Sequence, residues 1–143
     1  MEKENRRADI NMRTRGLRNN NPGNLRLSKD NWKGLRSKQE DKDFFQFVSV
    51  EYGYRALIIT LQNYRRKHNC WSIRDFITRY APPSENNTES YINIVCKKMG
   101  VSDMWCPNVD DKVTMIMFAS AISYVENGML AEVEDVVKGW ELI

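Results

Sequence analysis

Of the ionisable residues in this sequence, Glu126 has the most unusual setting. It follows the apolar run VTMIMFASAISYV, residues 113–125, and stands directly before Asn127-Gly128, a pair that stops helices. Apolar side chains (Val113, Ile116, Phe118, Ile122, Tyr124, Val125) fall all round this run, the pattern of a helix buried on every side. A carboxyl group at the C-terminal end of a buried helix meets two effects that disfavour its anion: loss of solvent and the negative end of the helix dipole. Both favour a proton donor near neutral pH, which is what a general acid must be. The ordinary alternative is a solvated glutamate at a frayed helix end.

Two other carboxylates compete for that role. Glu51, in SVEYGYRA, sits in the first turn of an expected helix, where the dipole favours the anion. Its ordinary role is a cap or an ion pair with Arg55 at helical i+4 spacing. Glu85, in PPSEN, follows a proline corner and either faces a groove or fixes the turn with Asn86. Tyr80 is a candidate to support the acid by hydrogen bonding, against the plainer reading, which Tyr91 shares, of a core tyrosine with a satisfied hydroxyl. Asn21, Asn24, Trp32, Tyr91 and Asn86 are candidates for substrate contact, the asparagines against roles as turn-formers and Trp32 against that of an apolar anchor. Tyr54 and Arg55 read as structural.

Other routes to hydrolysis are weak. The single histidine, His68, and the cysteines Cys70, Cys96 and Cys106 form no CxxC or paired-histidine pattern, so no metal or other cofactor is expected. His68 and Cys70 are sequence neighbours without an orienting partner, which argues against a Cys–His nucleophile. The odd cysteine count argues against a complete disulfide framework, and the thiols are expected to be reduced and mostly buried.

The elements that must position these residues follow from periodicity. Ser49 is placed to cap a helix running to about Lys67, with Val50, Tyr54, Leu57, Ile58, Leu61 and Tyr64 on one face. Ser72 and Asp75 form a capping box for a second helix that buries Ile73, Phe76 and Ile77, and the adjacent prolines of YAPPSENN end it. A third helix runs from about Thr88 to Gly100, and the Glu126 helix is the fourth. AEVEDVVKGW predicts a short last helix with Val133, Val136, Val137 and Trp140 inward. The Asn- and Gly-rich stretch from Arg15 to Leu35 reads as ordered turns, and a short strand pair is expected around Asn24–Leu27 and Phe44–Val48.

The fold class is therefore mainly α (α+β), with a small extended or β lobe near the N-terminus. A chain of 143 residues suits one domain, here 16–143, preceded by a flexible basic arm over 1–15. The net charge of +3 is modest, and its concentration in NRRADINMRTRGLR suggests an anionic partner, either nucleic acid or a bacterial surface polymer. Nucleic acid ranks last, because the basic residues are not interleaved with aromatics as in a recognisable module. No stretch is long and apolar enough to span a bilayer, so no membrane insertion is expected, and MEKENRRADI lacks the apolar core of a signal peptide.

Taken in order, RGLRNNNPGNLR, NWKG, FFQFVSVEYGYRAL and YAPPSENNTESY form a specific series. It resembles the phage and prophage lysozyme-like proteins often described as virion structural proteins. The likeness runs from residue 15 to about 128. More distantly, it is similar to flagellar and autolysin-type glucosaminidases, in which a helix ending in A-x-x-x-E-S-G precedes the Asn-rich segment and supplies the acid. Here only a basic arm precedes Asn19, and the matching helix end is AISYVENG, so the resemblance implies a circularly permuted lysozyme-like domain with Glu126 in the catalytic-helix role.

What the resemblance implies is a peptidoglycan glycan-strand cleaving enzyme, a glycosidase or lytic transglycosylase of phage or mobile-element origin. Its alternative is a catalytically inactive wall-binding or virion structural protein of the same fold. The implied partners are glycan strands and other virion proteins. Synthesis in the bacterial cytoplasm without a signal peptide, and action at the wall or in a phage particle, are expected with it. The glucosaminidase likeness also draws notice to Glu40, which its charged loop SKQEDKD otherwise marks as solvated. This sequence departs from the pattern at Val50, Tyr124 and Asn127, where proline, a histidine-like residue and serine are usual.

Overall fold

The computed structural model describes residues 13–143, so most of the expected basic arm, residues 1–12, lies outside the described residues. The remainder of that arm belongs to the domain. Arg15 opens a one-turn helix, α1 (Arg15–Arg18), and pairs with Asp41 and Asp43.

The described chain is mainly helical, as its periodicity predicts. The elements after α1 are α2 (Val50–His68), α3 (Ile73–Tyr80), α4 (Thr88–Met99), α5 (Lys112–Asn127) and α6 (Val133–Glu141). Their ends carry the expected chemistry. In α3 the Ser72–Asp75 capping box is complete, while Asn87 and Asp111 accept backbone N–H bonds at the starts of α4 and α5. Gly100 and Gly128 end α4 and α5 at φ +67° and +69°, the left-handed conformation that glycine adopts without penalty. Ser49 does precede α2, but its side chain makes no capping bond.

One core joins α2 through α6. Leu57, Ile58 and Leu61 of α2 meet Ile73, Phe76 and Ile77 of α3, Ile92 and Val95 of α4, Met115, Phe118 and Ile122 of α5, and Val136 of α6. Phe76 and Phe118 meet edge to face with ring centroids 5.5 Å apart, a favourable aromatic geometry. Two expectations are corrected. The α5 helix is not buried all round, since Val113 and Met117 are exposed, and in α6 Val133 is exposed while Val136 is buried. Each case has the same cause: no element among the described residues covers these outer apolar side chains.

The extended lobe contains two isolated antiparallel bridges, Arg26 with Phe44 and Leu35 with Phe47, in place of the expected strand pair. The DFFQFV segment, residues 43–48, runs between two neighbours, bonding to Leu25 and Leu27 on one side and to Gly34 and Arg36 on the other. Side chains take up much of the remaining backbone: Asn21 Nδ2 donates to the carbonyls of Leu25 and Phe45, and Gln39 Nε2 donates to that of Gln46. Phe45, Phe47 and Ala56 form a second apolar cluster, with Trp32, Leu35 and Tyr52 against it. At Gly53 a Cβ would lie 2.0 Å from the Asn20 carbonyl oxygen, so only glycine lets α2 pack this closely on the Asn-rich turn.

Candidate functional site

The end of α5 meets the Asn-rich turn, and the contact is made by two adjacent residues with different tasks. Asn127, on the last turn of the helix, is buried. Its Oδ1 accepts from Thr14 Oγ1 at 2.7 Å, and its Nδ2 donates to the Pro22 carbonyl at 2.8 Å and the Ser123 carbonyl at 3.0 Å. This clasp fixes the helix end against residues more than a hundred positions earlier in the chain. Glu126 is thereby turned, half-buried, toward an open groove.

Both carboxylate oxygens of Glu126 are engaged. Asn24 Nδ2 donates to Oε1 at 2.9 Å, and the Tyr91 hydroxyl donates to Oε2 at 2.8 Å. Each donor is itself held. Asn24 sits at φ +49°, a left-handed conformation that asparagine tolerates better than most residues, and its N–H donates to the Asn21 carbonyl. Tyr91 is buried beneath the groove. Its phenol is pushed far above its ordinary pKa by burial, then by Tyr80 and Glu126, so it stays protonated as a donor.

Tyr80 makes no hydrogen bond to Glu126. Its hydroxyl donates to the Gly23 carbonyl and so props the turn that carries Asn24. Burial first, and then the charge of Glu126, raise its pKa well above the ordinary value. Glycine is required on both sides of this turn. A Cβ at Gly23 would lie 2.4 Å from the Tyr80 hydroxyl, and one at Gly16 would lie 2.7 Å from the side-chain oxygens of both Asn24 and Asn127.

Two cavities meet at Glu126 and Asn86. The larger, about 470 Å³, is bounded by Asn24, Arg26, Phe44, Tyr64, Arg79 and Glu85 among others. The smaller, about 290 Å³, lies on the other side, against Asn87, Ser90, Tyr91 and Ile94. Glu126 thus borders both cavities.

The other candidates divide clearly. Asn24, Tyr80, Glu85, Asn86 and Tyr91 are all brought to this groove. Glu85 is exposed at its rim, with its carboxylate 3.9 Å from Arg26. Three expectations are corrected. Asn21 is fully buried with its amide spent on lobe backbone, so it shapes the turn and cannot touch a ligand. Trp32 anchors the lobe's apolar cluster and is not part of the groove lining. Glu51 lies on the α2 surface that faces α6, where its charge acts on Asp135. The expected Glu51–Arg55 ion pair is absent among the described residues, and Arg55 donates instead to the Leu142 carbonyl.

Glu40 is exposed in its loop, 3.8 Å from Lys38. The cysteines are free; Cys70 is buried, Cys96 half-buried and Cys106 exposed, so the expectation of mostly buried thiols is met fully only at Cys70. No group of three or more potential metal ligands occurs among the described residues, and no helix there is long and apolar enough to cross a membrane.

Sequence reasoning missed Asn127, Thr14, Gly16 and Arg79. Asn127 was visible only as half of a helix-stop pair and as a departure from the family pattern, and its clasp exists only once the helix end meets the N-terminal turn. No protein-family model matches the chain. Protein P5 of Pseudoalteromonas phage PM2 is 36% identical to it over 134 residues, which span 92% of this chain and 82% of the phage protein. The relative's name states no activity, but it bears out the phage association expected from the motifs. At that identity and coverage, the chain belongs to the same protein family as Protein P5 of phage PM2.

Proposed function

We propose that this protein cleaves the glycan strands of peptidoglycan, as a glycosidase or lytic transglycosylase with Glu126 as general acid. One observation carries the reading: a half-buried glutamate, held at both oxygens by Asn24 and Tyr91, stands at the junction of two cavities that together form an open groove. The lysozyme-like, circularly permuted order also draws support here. In this chain the end of α5, which the resemblance matches to the helix that precedes the Asn-rich segment in the glucosaminidases, lies against that segment through the bonds of Asn127 to Thr14 and Pro22.

In the proposed reaction the Glu126 carboxyl gives its proton to the glycosidic oxygen as the C1–O bond breaks, and the leaving sugar departs as an alcohol. The cation developing at C1 needs a partner. The groove lining includes no Asp, and Glu85, its other carboxylate, is exposed and close to Arg26. The substrate's own N-acetyl carbonyl is therefore the better stabiliser. Attack at C1 by water, or by the sugar's own C6 hydroxyl, then returns a proton to the Glu126 carboxylate and restores the acid. Tyr91 and Asn24 orient the carboxyl group throughout, and Tyr80 positions Asn24 through Gly23.

The test is release of soluble fragments from purified peptidoglycan by the native protein and by Glu126→Gln, with products identified by mass. The variant is expected to lose about a thousandfold in rate, in the range for removal of a positioned general acid. Reducing ends would identify a hydrolase and anhydro ends a transglycosylase. Activity that survives the substitution moves the acid to Glu85. Strand binding without cleavage by the native protein favours the inactive wall-binding or virion role.

A further inference from the structure

The groove is lopsided in charge. Two guanidinium groups, from Arg26 and Arg79, line the larger cavity, whereas the smaller is bounded by Asn86, Asn87, Ser90 and Ile94 with no charge but that of Glu126. The two arginines differ. Arg26 is close to Glu85, at 3.9 Å. Arg79 is exposed with its guanidinium 5.2 Å from the centre of the Tyr64 ring, and no carboxylate lies within 4 Å of it among the described residues. A guanidinium stacked on an aromatic face keeps its in-plane N–H edge available, and that edge matches a carboxylate through two parallel bonds.

Resting on the glycan-cleaving reading, we infer that the larger cavity receives the saccharide bearing a carboxylate-containing substituent, that Arg79 recognises that carboxylate, and that the smaller cavity receives the neutral N-acetylated sugar. In peptidoglycan the carboxylate has two sources of the same chemistry: the lactyl group itself where the stem peptide has been removed, or the peptide's own carboxylates where it is present. A neutral N-acetylglucosamine polymer offers neither. Arg79 thus acts as a specificity residue, selecting a substituted wall strand over an unsubstituted one.

The test uses the full chain carrying Glu126→Gln, so that strands are bound and not cut. Calorimetric affinities are measured at low salt for three probes: a chitooligosaccharide, peptide-free glycan strands and peptide-bearing strands. Both carboxylate-bearing probes are expected to bind more tightly than the chitooligosaccharide. Adding Arg79→Gln should remove roughly fivefold of that preference, the scale of a partly exposed charge-assisted contact, and Arg79→Lys should retain part of it. Whichever strand loses more affinity identifies the source of the carboxylate. A preference that Arg79→Gln leaves unchanged, or equal binding of all three probes, overturns the assignment while the glycan groove stands. Failure to bind any of the three overturns both.

Discussion

The lobe and the helical body of this molecule are held together by different forces. In the body, Leu57, Ile58, Leu61, Phe76, Phe118 and Ile122 are wholly buried in one apolar core, whose stability comes from area removed from water. In the lobe, polar side chains bond to backbone: Asn20 to Phe47, Asn21 to Leu25 and Phe45, Arg36 to Phe47, Gln39 to Gln46. Packing is forgiving of small shifts, whereas a hydrogen bond weakens steeply with misdirection. Glu126 is carried by the body and aimed by one donor from each region, Tyr91 of the body and Asn24 beside the lobe, so the precision of the site depends on the polar region as well as on the core.

The largest expected effect that sets the two regions apart lies in the body. Phe118→Ala should lower stability by about 3–5 kcal/mol, through lost burial plus the cavity left against Phe76. Denaturant titration would show a reduced midpoint at unchanged slope. At a temperature where the variant remains folded, its glycan affinity should be close to native, because Phe118 is not part of the groove lining. An equally large loss of affinity in the folded variant would break the division between body and lobe.

Next comes the clasp. Asn127→Ala removes the bonds to Thr14, Pro22 and Ser123 and leaves a buried carbonyl at Pro22 without that donor. A cost of about 2–3 kcal/mol is expected, in line with unsatisfied buried polar groups. Unlike Phe118→Ala, it should also reduce glycan cleavage in the folded protein, because Glu126 would no longer be fixed relative to Asn24. The same fragment-release assay applied to both variants at matched folded fraction measures the contrast. Full activity in Asn127→Ala would show that Asn24 and Tyr91 aim the carboxylate without the clasp.

How far each region was legible in the sequence follows from the same distinction. The body was readable because apolar periodicity and capping residues are local signals: Ser72 with Asp75, Asn87 before Thr88 and Gly100 after Met99 mark ends found in the fold. The lobe was not, because its bonds join side chains to backbone with no fixed spacing, from four positions for Asn21 to Leu25 to 27 for Asn20 to Phe47. Asparagine type and spacing cannot separate Asn21, which is consumed by the lobe, from Asn24, which reaches Glu126. The position of Glu126 at a helix end was foreseeable from its apolar lead-in, but its donors were not. They converge from two distant segments, and Tyr91 had a core tyrosine's surroundings as its simpler explanation.

The smallest effect sharpens the comparison through pH. Asp41 is the charged hub of the lobe, accepting from Arg15, from Asn19 Nδ2 and from the backbone N–H groups of Asp43 and Phe44. Those bonds, the Arg15 pair foremost, hold its carboxyl well below the ordinary value of 3.8. A group whose folded pKa is depressed contributes stability that is complete above its unfolded pKa and is lost as pH falls through its folded one. The lobe should therefore weaken progressively below about pH 4. In Asp41→Asn the dependence of stability on pH in that acid window should be shallower, though not flat, because Asp75, Glu89, Asp103 and Asp111 in the body are held low as well. The change is expected to be modest, since Arg15 is partly exposed and solvent screens the pair. Thermal midpoints of the two proteins measured from pH 5 downward decide it: converging curves support Asp41 as the acid-sensitive hub, and parallel curves assign the acid sensitivity to the helical body alone.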